Sequence, residues 1–275
     1  MAFVRSGRSL AVSFVVLLLL GTGLGLVLSA EFGTCAPKER IVYAPDAAPP
    51  PPPPPPCPEE MALITYVKGQ ICVDKYEAAL DNWSPSHPVD ALDASVLRAI
   101  PAKGIKPQVN ISEYQAEAAC KNADKRLCTG AEWTAACRGP KNYTYPYGNK
   151  YEKGACNEGR PSPMHTVFGP AGWGRQDDPR LAEAEHTIEI GGFFKQCVSV
   201  YGNYDMHGNV HEWVSDSKPF DSRFGVFVGG FFADGQENGF GCGYRTTAHI
   251  REYHDYSIGF RCCKEPRPAL EIELR

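Results

Sequence analysis

The sequence predicts a loop-rich α+β domain that is stabilised by disulfides more than by a large regular core. Three observations carry this. The chain holds 11 cysteines, a frequency typical of oxidising compartments. Its 27 glycines and 24 prolines are spread throughout and interrupt any long element. Two capping-box patterns mark short helices between runs of strand-like composition.

A length of 275 residues fits one domain of roughly 200 residues behind an N-terminal extension. The formal net charge of −4 comes with no run of Lys and Arg and no basic helix face, which excludes nucleic acid as a partner.

Residues 1–30 read as a signal peptide or signal anchor. Arg5 and Arg8 precede an apolar run from Leu10 to Leu28. That run lies between the roughly 7–15 residues of a signal-peptide core and the about 20 of a spanning helix. Its leading charges hold the N-terminus inside and export the remainder. The expected location is therefore extracytoplasmic, either anchored in the cell envelope or secreted. Residues 31–56 form a Pro-rich linker that contains Cys35 and ends in Pro49–Pro56. Eight prolines in polyproline II, at ~3.1 Å each, make a stiff rod of about 25 Å. Such a rod suits a domain held off a membrane, with the N-terminal apolar segment as tether. The domain proper spans 57–265, and 266–275 are a C-terminal tail.

Within the domain, Leu63–Val67 and Gly69–Tyr76 alternate imperfectly as strands, and Phe224–Val228 is aromatic and β-branched. Ser112 with Gln115 three residues on opens one helix, which continues through Asn122. Thr129 with Glu132 opens a second, carrying Trp133 and Cys137 and stopped by Gly139-Pro140. Residues 161–189 match no periodic pattern and read as a surface insertion.

The stretch 202–216 concentrates the chemistry. Asn203, Gly208 and Asn209 suit tight turns. Asn209 and Glu212 stand three apart, so a loop there can aim two oxygen side chains and nearby carbonyls at one hard cation such as calcium. Cys57 and Cys72 flank a short hairpin-like segment and are candidates to pair with each other. His207 and His211 are four apart, but the intervening Gly208-Asn209 turn removes the helical geometry that would make that spacing a metal site.

Six motifs in order resemble those of the formylglycine-generating enzyme (sulfatase-modifying factor) family. They are Asp74-Lys75-Tyr76-Glu77; the segment from Cys120 through Lys125-Arg126-Leu127-Cys128-Thr129-Gly130-Ala131-Glu132-Trp133; Tyr145-Pro146-Tyr147-Gly148-Asn149; Gly208-Asn209 through Glu212-Trp213; Gly229-Gly230; and Gly259-Phe260-Arg261-Cys262. The resemblance implies a loop-rich variant of the C-type-lectin-like fold. It implies pairing of Cys120 with Cys262 or Cys263, and of Cys137 with Cys242. It also implies structural Ca2+ at two places. The first uses the side chains of Asn209 and Glu212 with the carbonyls of Gly208 and Val210. The second begins at Asn157 and the carbonyl of Glu158.

The family's oxidases hold Cu(I) on two cysteines in a C-x4-C pattern after a Gly-Gly-Ser turn, a soft-ligand site suited to that metal. Here Phe231 follows Gly229-Gly230, and Cys242 is the only cysteine in the window. A single thiol, itself implied in a disulfide, argues against copper and leaves Cys242 as the one candidate catalytic residue. The related iron enzymes place their histidine ligands in a separate helical domain that this chain lacks. The expected function is a non-catalytic binding or structural module that recognises a protein or glycan ligand through an open face at 229–245. The alternative is an oxygen-dependent oxidoreductase of the formylglycine-generating or pyoverdine-maturation type, acting on a protein cysteine or a small molecule.

Overall fold

The computed structural model describes residues 53–268, apart from 82, 90–92, 172, 173 and 235. The expected signal or anchor (1–30), the linker as far as residue 52 with Cys35, and the tail from 269 lie outside the described residues.

In chain order the strands are β1 (Met61–Tyr66), β2 (Gly69–Asp74), β3 (Ala78–Leu80), β4 (Ala99–Pro101), β5 (Arg126–Leu127), β6 (His211–Lys218), β7 (Asp221–Val228), β8 (Arg245–Thr246), β9 (Ile258–Phe260) and β10 (Cys262–Lys264). The first sheet has the order β1-β2-β10-β5 and the second β8-β7-β6-β9, while β3 and β4 pair alone. The β1–β2 hairpin runs in register from Met61 opposite Asp74 to Tyr66 opposite Gly69. In the second sheet β9 lies parallel to β6, with Glu212 opposite Gly259. Only Arg261 separates β9 from β10, so the C-terminal strands stitch the two sheets together.

The helices are α1 (Glu113–Asn122), α2 (Gly130–Arg138), α3 (Pro163–Phe168) and α4 (Pro179–Glu183). Both capping boxes close as their chemistry dictates. Ser112 N–H donates to Gln115 Oε1 at 2.8 Å and Thr129 N–H donates to Glu132 Oε2 at 2.8 Å, while each cap hydroxyl accepts from the third residue's amide. Gly139 ends α2 at φ +63, and a Cβ there would lie 2.5 Å from Val200 Cγ2. That close approach and positive φ both require glycine.

Three large apolar clusters fill the interior beside a small one of Cys57, Met61 and Cys72. One packs α1 residues Ala116 and Ala119 with Ile111, Trp213, Phe227 and Phe260. Another packs Trp133 and Ala136 of α2 with Ile64, Ile71, Val214 and Val226. The third corrects the reading of 161–189 as a surface insertion. Leu181, Ala182 and Ile188 are buried there against Val109, Val210 and Phe232. The segment carries α3 and α4, each capped by an acceptor (Ser162, Asp178) with proline in the first turn. Helices of six and five residues are too short to show a 3.6-residue period.

Five disulfides complete the framework: Cys57–Cys72, Cys120–Cys262, Cys128–Cys263, Cys137–Cys242 and Cys156–Cys197. Three of them close loops of 142, 135 and 105 residues. In the chain-entropy picture a bridge of that span stabilises by about 4–5 kcal/mol.

Because Leu181 is fully buried, Leu181→Ala is expected to lower the unfolding free energy by about 2–5 kcal/mol in denaturant titration. A change below ~0.5 kcal/mol, the range of a surface substitution, would return the segment to the surface.

Candidate functional site

The turn before β6 meets the end of β2, where Asn203 Nδ2 donates to the Asp74 carbonyl at 3.0 Å, and the loop at 157. Gly208 has φ +77, and a Cβ on it would lie 2.2 Å from the Asn157 carbonyl oxygen, so only glycine fits. Asn209 follows at φ +57, a conformation Asn tolerates. Its backbone N–H donates to that same Asn157 carbonyl at 2.8 Å. The Asn209 side-chain oxygen accepts from Asn157 Nδ2 and from the Glu189 amide, both at 2.9 Å, and its Nδ2 donates to Glu77 Oε2 at 2.6 Å. Val210 N–H donates to Glu77 Oε1 at 3.2 Å. Gly208, Asn209, Val210 and Asn157 therefore form one hydrogen-bonded knot rather than parts of two separate sites.

Glu212 faces elsewhere. Its carboxylate takes Arg261 in a two-pronged pair, Nε to Oε2 at 2.6 Å and Nη2 to Oε1 at 2.7 Å, and accepts from Trp133 Nε1 at 2.7 Å. Arg261 is fully buried and also donates to the carbonyls of Asp74 and Tyr204, at 3.0 and 2.9 Å. With its oxygens committed to Arg261 and Trp133, Glu212 does not join Asn209 around a common point. The expected side-chain pair for calcium does not fit. Glu158 likewise turns its carboxylate to His207, Oε2 to Nε2 at 2.9 Å. Burial works to raise the Glu158 carboxyl, but the His207 contact holds it below its ordinary range.

Two carboxylates missed by the sequence reading lie in this nest, Glu77 and Asp205. Both belong to quoted motifs, Asp74-to-Glu77 and the turn before Gly208, which is the signal that marks them. Asp205 sits at φ +59 and accepts from the Gly192 amide at 2.7 Å. Burial, together with repulsion from Glu212, pushes its carboxyl up to about 6. Burial and the charges of Asp205 and Glu212 push Glu77 well above the carboxylate range. Three buried carboxylates thus share Arg261, with Lys195 acting on Asp205 as well, and the negative charge left over is what a proton, or a cation, would offset.

The 229–245 face has no thiol chemistry. Cys242 is bonded to Cys137, and all ten described cysteines are in disulfides. The donor set for a two-thiolate copper site is absent there, because the only sulfur is consumed. Asp234 instead organises the loop. Its Oδ1 accepts from the amides of Gln236 and Glu237 at 2.9 Å, and its Oδ2 from the Tyr244 hydroxyl at 2.9 Å. His211 is buried below this loop among Phe227, Phe231 and Tyr244, with ring centroids 4.7–5.3 Å away. Burial pulls its imidazole down to about 3, so it is neutral at physiological pH. His249 stacks on Tyr253 at 3.9 Å. Among the described residues no group of three or more His, Cys, Asp or Glu is arranged to hold a metal ion.

The family described as "Sulfatase-modifying factor enzyme 1-like domain" matches residues 63–266. The chain belongs to this family. Its fold is the loop-rich, disulfide-stabilised α+β fold of the formylglycine-generating type. The chain is similar to a Bos taurus protein named "Inactive C-alpha-formylglycine-generating enzyme 2", 30% identical over 184 residues, covering 62% of this chain and 56% of the relative. It is also similar to the Mus musculus "Formylglycine-generating enzyme", 28% identical over 210 residues, covering 69% of this chain and 50% of the relative. The chain thus spans little more than half the length of these relatives. Among solved structures it is similar to PvdO from Pseudomonas aeruginosa (TM-score 0.47, 16% identity, 74% of this chain and 82% of that one). It is also similar to the Major Tropism Determinant U1 variant (TM-score 0.45, 13% identity, 78% and 54%).

A raised carboxyl favours the folded state below its unfolded value and loses that advantage as pH rises through its folded value. Asp205, ordinarily near 3.8 and about 6 here, thus costs the protein stability between those limits and stays ionised and unfavourable above them. In chelator-containing buffer, Asp205→Asn is expected to gain on the order of 2 kcal/mol over wild type at pH 7.5 and nothing near pH 4. Urea midpoints across that range check it; a constant offset at both ends would refute the assignment.

Proposed function

We propose that this is an exported, non-catalytic member of the family, a binding or structural module whose open face at 229–245 takes a protein or glycan ligand. The observation that supports this most is the Cys137–Cys242 bridge, which removes the single thiol that metal-dependent oxidation would need in that window. Phe240, 62% exposed at the rim of the face, offers apolar contact area. Asp234 and its bonds to Tyr244, Gln236 and Glu237 hold the loop in one shape, which favours recognition over chemistry. Export accords with the disulfide framework, since such bridges persist outside reducing compartments.

Oxygen uptake with a Cys-x-Pro-x-Arg peptide, the motif the family's oxidases act on, is expected to remain at background with or without copper. Copper titration is expected to yield no thiolate charge-transfer band. Turnover, or such a band in the non-reduced protein, would establish the oxidoreductase reading instead.

A structural calcium ion belongs to the same proposal, supported by the buried carboxylates of Glu77 and Asp205 beside the Gly208-Asn209 turn, whose charge Arg261, held by Glu212, only partly offsets. Calcium is expected to raise the melting temperature relative to chelator. Identical melting in the two buffers sinks the calcium proposal and leaves the non-catalytic reading standing.

A further inference from the structure

β1 is the outer strand of its sheet, so one of its edges faces no other strand. The bonds at its two ends show which groups lie on that edge. The Glu60 carbonyl accepts from Lys75 N–H at 2.9 Å, on the β2 side. Met61 N–H instead donates back to the Pro58 carbonyl at 3.0 Å, and the Thr65 carbonyl accepts from the Tyr201 hydroxyl at 3.4 Å. Backbone groups along an antiparallel pair alternate between the partner and the far side. Even-numbered residues of β1 therefore bond to β2, and Met61, Leu63 and Thr65 turn their amides and carbonyls outward. Among the described residues, none outside the hairpin bonds the Leu63 amide or carbonyl.

Outer strands are normally blunted by lysine, proline or a bulge. β1 has none of these: it reads MALITY, and its register against β2 is unbroken over six residues. One face of it is also thinly covered. Leu63 packs on the small cluster of Cys57, Met61 and Cys72 but is only partly buried, and Thr65 beyond it is exposed. A further strand beside β1 would extend that cluster.

Charge at the two ends selects the strand. Exposed Glu59 and Glu60 precede β1 and outnumber Lys75, whose Nζ donates to the Glu59 carbonyl at 2.7 Å. Exposed Lys68 lies in the turn that follows β1. A second β1 laid antiparallel, with Leu63 opposite Thr65, lets these two residues exchange N–H···O bonds. The same register sets Glu60 opposite Lys68, and two-fold symmetry repeats both pairings. The strand is thus its own complement in hydrogen bonding and in charge. The Tyr201 hydroxyl does not compete, because a carbonyl has two acceptor sites.

We propose that β1 pairs with β1 of a second copy of this chain, joining the two four-stranded sheets across a two-fold axis. The surface shares no residue with the 229–245 face, so the two proposals stand or fall separately.

Sedimentation equilibrium of the full chain, in density-matched detergent with micelles in excess, tests this. A reversible monomer–dimer equilibrium is expected. Glu60→Lys makes both facing pairs like-charged and is expected to weaken the dimer about tenfold. Adding Lys68→Glu to it reverses both charges and is expected to restore wild-type affinity. Thr65→Pro removes one outward amide at an exposed edge position that accepts proline. It is expected to abolish the dimer with the melting temperature unchanged. A monomer at all concentrations to about 0.1 mM would overturn the proposal. So would a dimer indifferent to these substitutions, which assigns association to the N-terminal apolar run or another surface.

Discussion

The buried pair between Glu212 and Arg261 is the constraint on which the rest of the site depends. Glu212 enters on β6, Arg261 is the single residue between β9 and β10, and Trp133 arrives from α2. Removing two charges from water is costly and is offset only when geometry is close and the remaining donors are bonded. Arg261 meets this condition by donating to the Asp74 and Tyr204 carbonyls as well. One guanidinium thereby fixes the end of β2, the turn before Gly208 and the junction of the two sheets. Burial is the main reason the Glu77 and Asp205 carboxyls rise; the charge of Glu212 adds to it, and Arg261, held by Glu212 in both prongs, only partly offsets it.

A second constraint is covalent. The long-range bridges draw α1, β5 and α2 to the C-terminal strands and to the loop after β7. Each shrinks the unfolded ensemble, which matters for a domain whose strands are mostly short. The same economy removes reactivity. A cysteine in a buried bridge is neither a nucleophile nor a soft metal ligand. Here the sulfur at 242 serves architecture, and the face above it is shaped by an Asx-type turn at Asp234.

Much of the framework was legible because its signals are local. Both capping boxes, the glycine stop of α2 and the β-branched run in β7 are each decided by neighbours within a few residues. What escaped was set by distant parts of the chain. Asn209 and Glu212 look like one ligand pair in sequence, yet Glu77 and Arg261, over a hundred and nearly fifty residues away respectively, pull them apart. Asp205 passed without notice because its burial, beneath the Gly192 amide, is set by the fold. The 161–189 segment hid its role because Leu181 and Ile188 contribute to a core whose other members, such as Phe232, come from later in the chain.

Cys262 and Cys263 are consecutive, yet they reach different helical neighbourhoods: one to Cys120 in α1, the other to Cys128 beside β5. On a strand, successive side chains point to opposite faces, and a slip by one position exchanges them. Any misalignment of β10 between β2 and β5 would thus present the wrong sulfur to each partner. The adjacent thiols act as a covalent proofreader of strand alignment, sealing only the arrangement in which Arg261 already points inward.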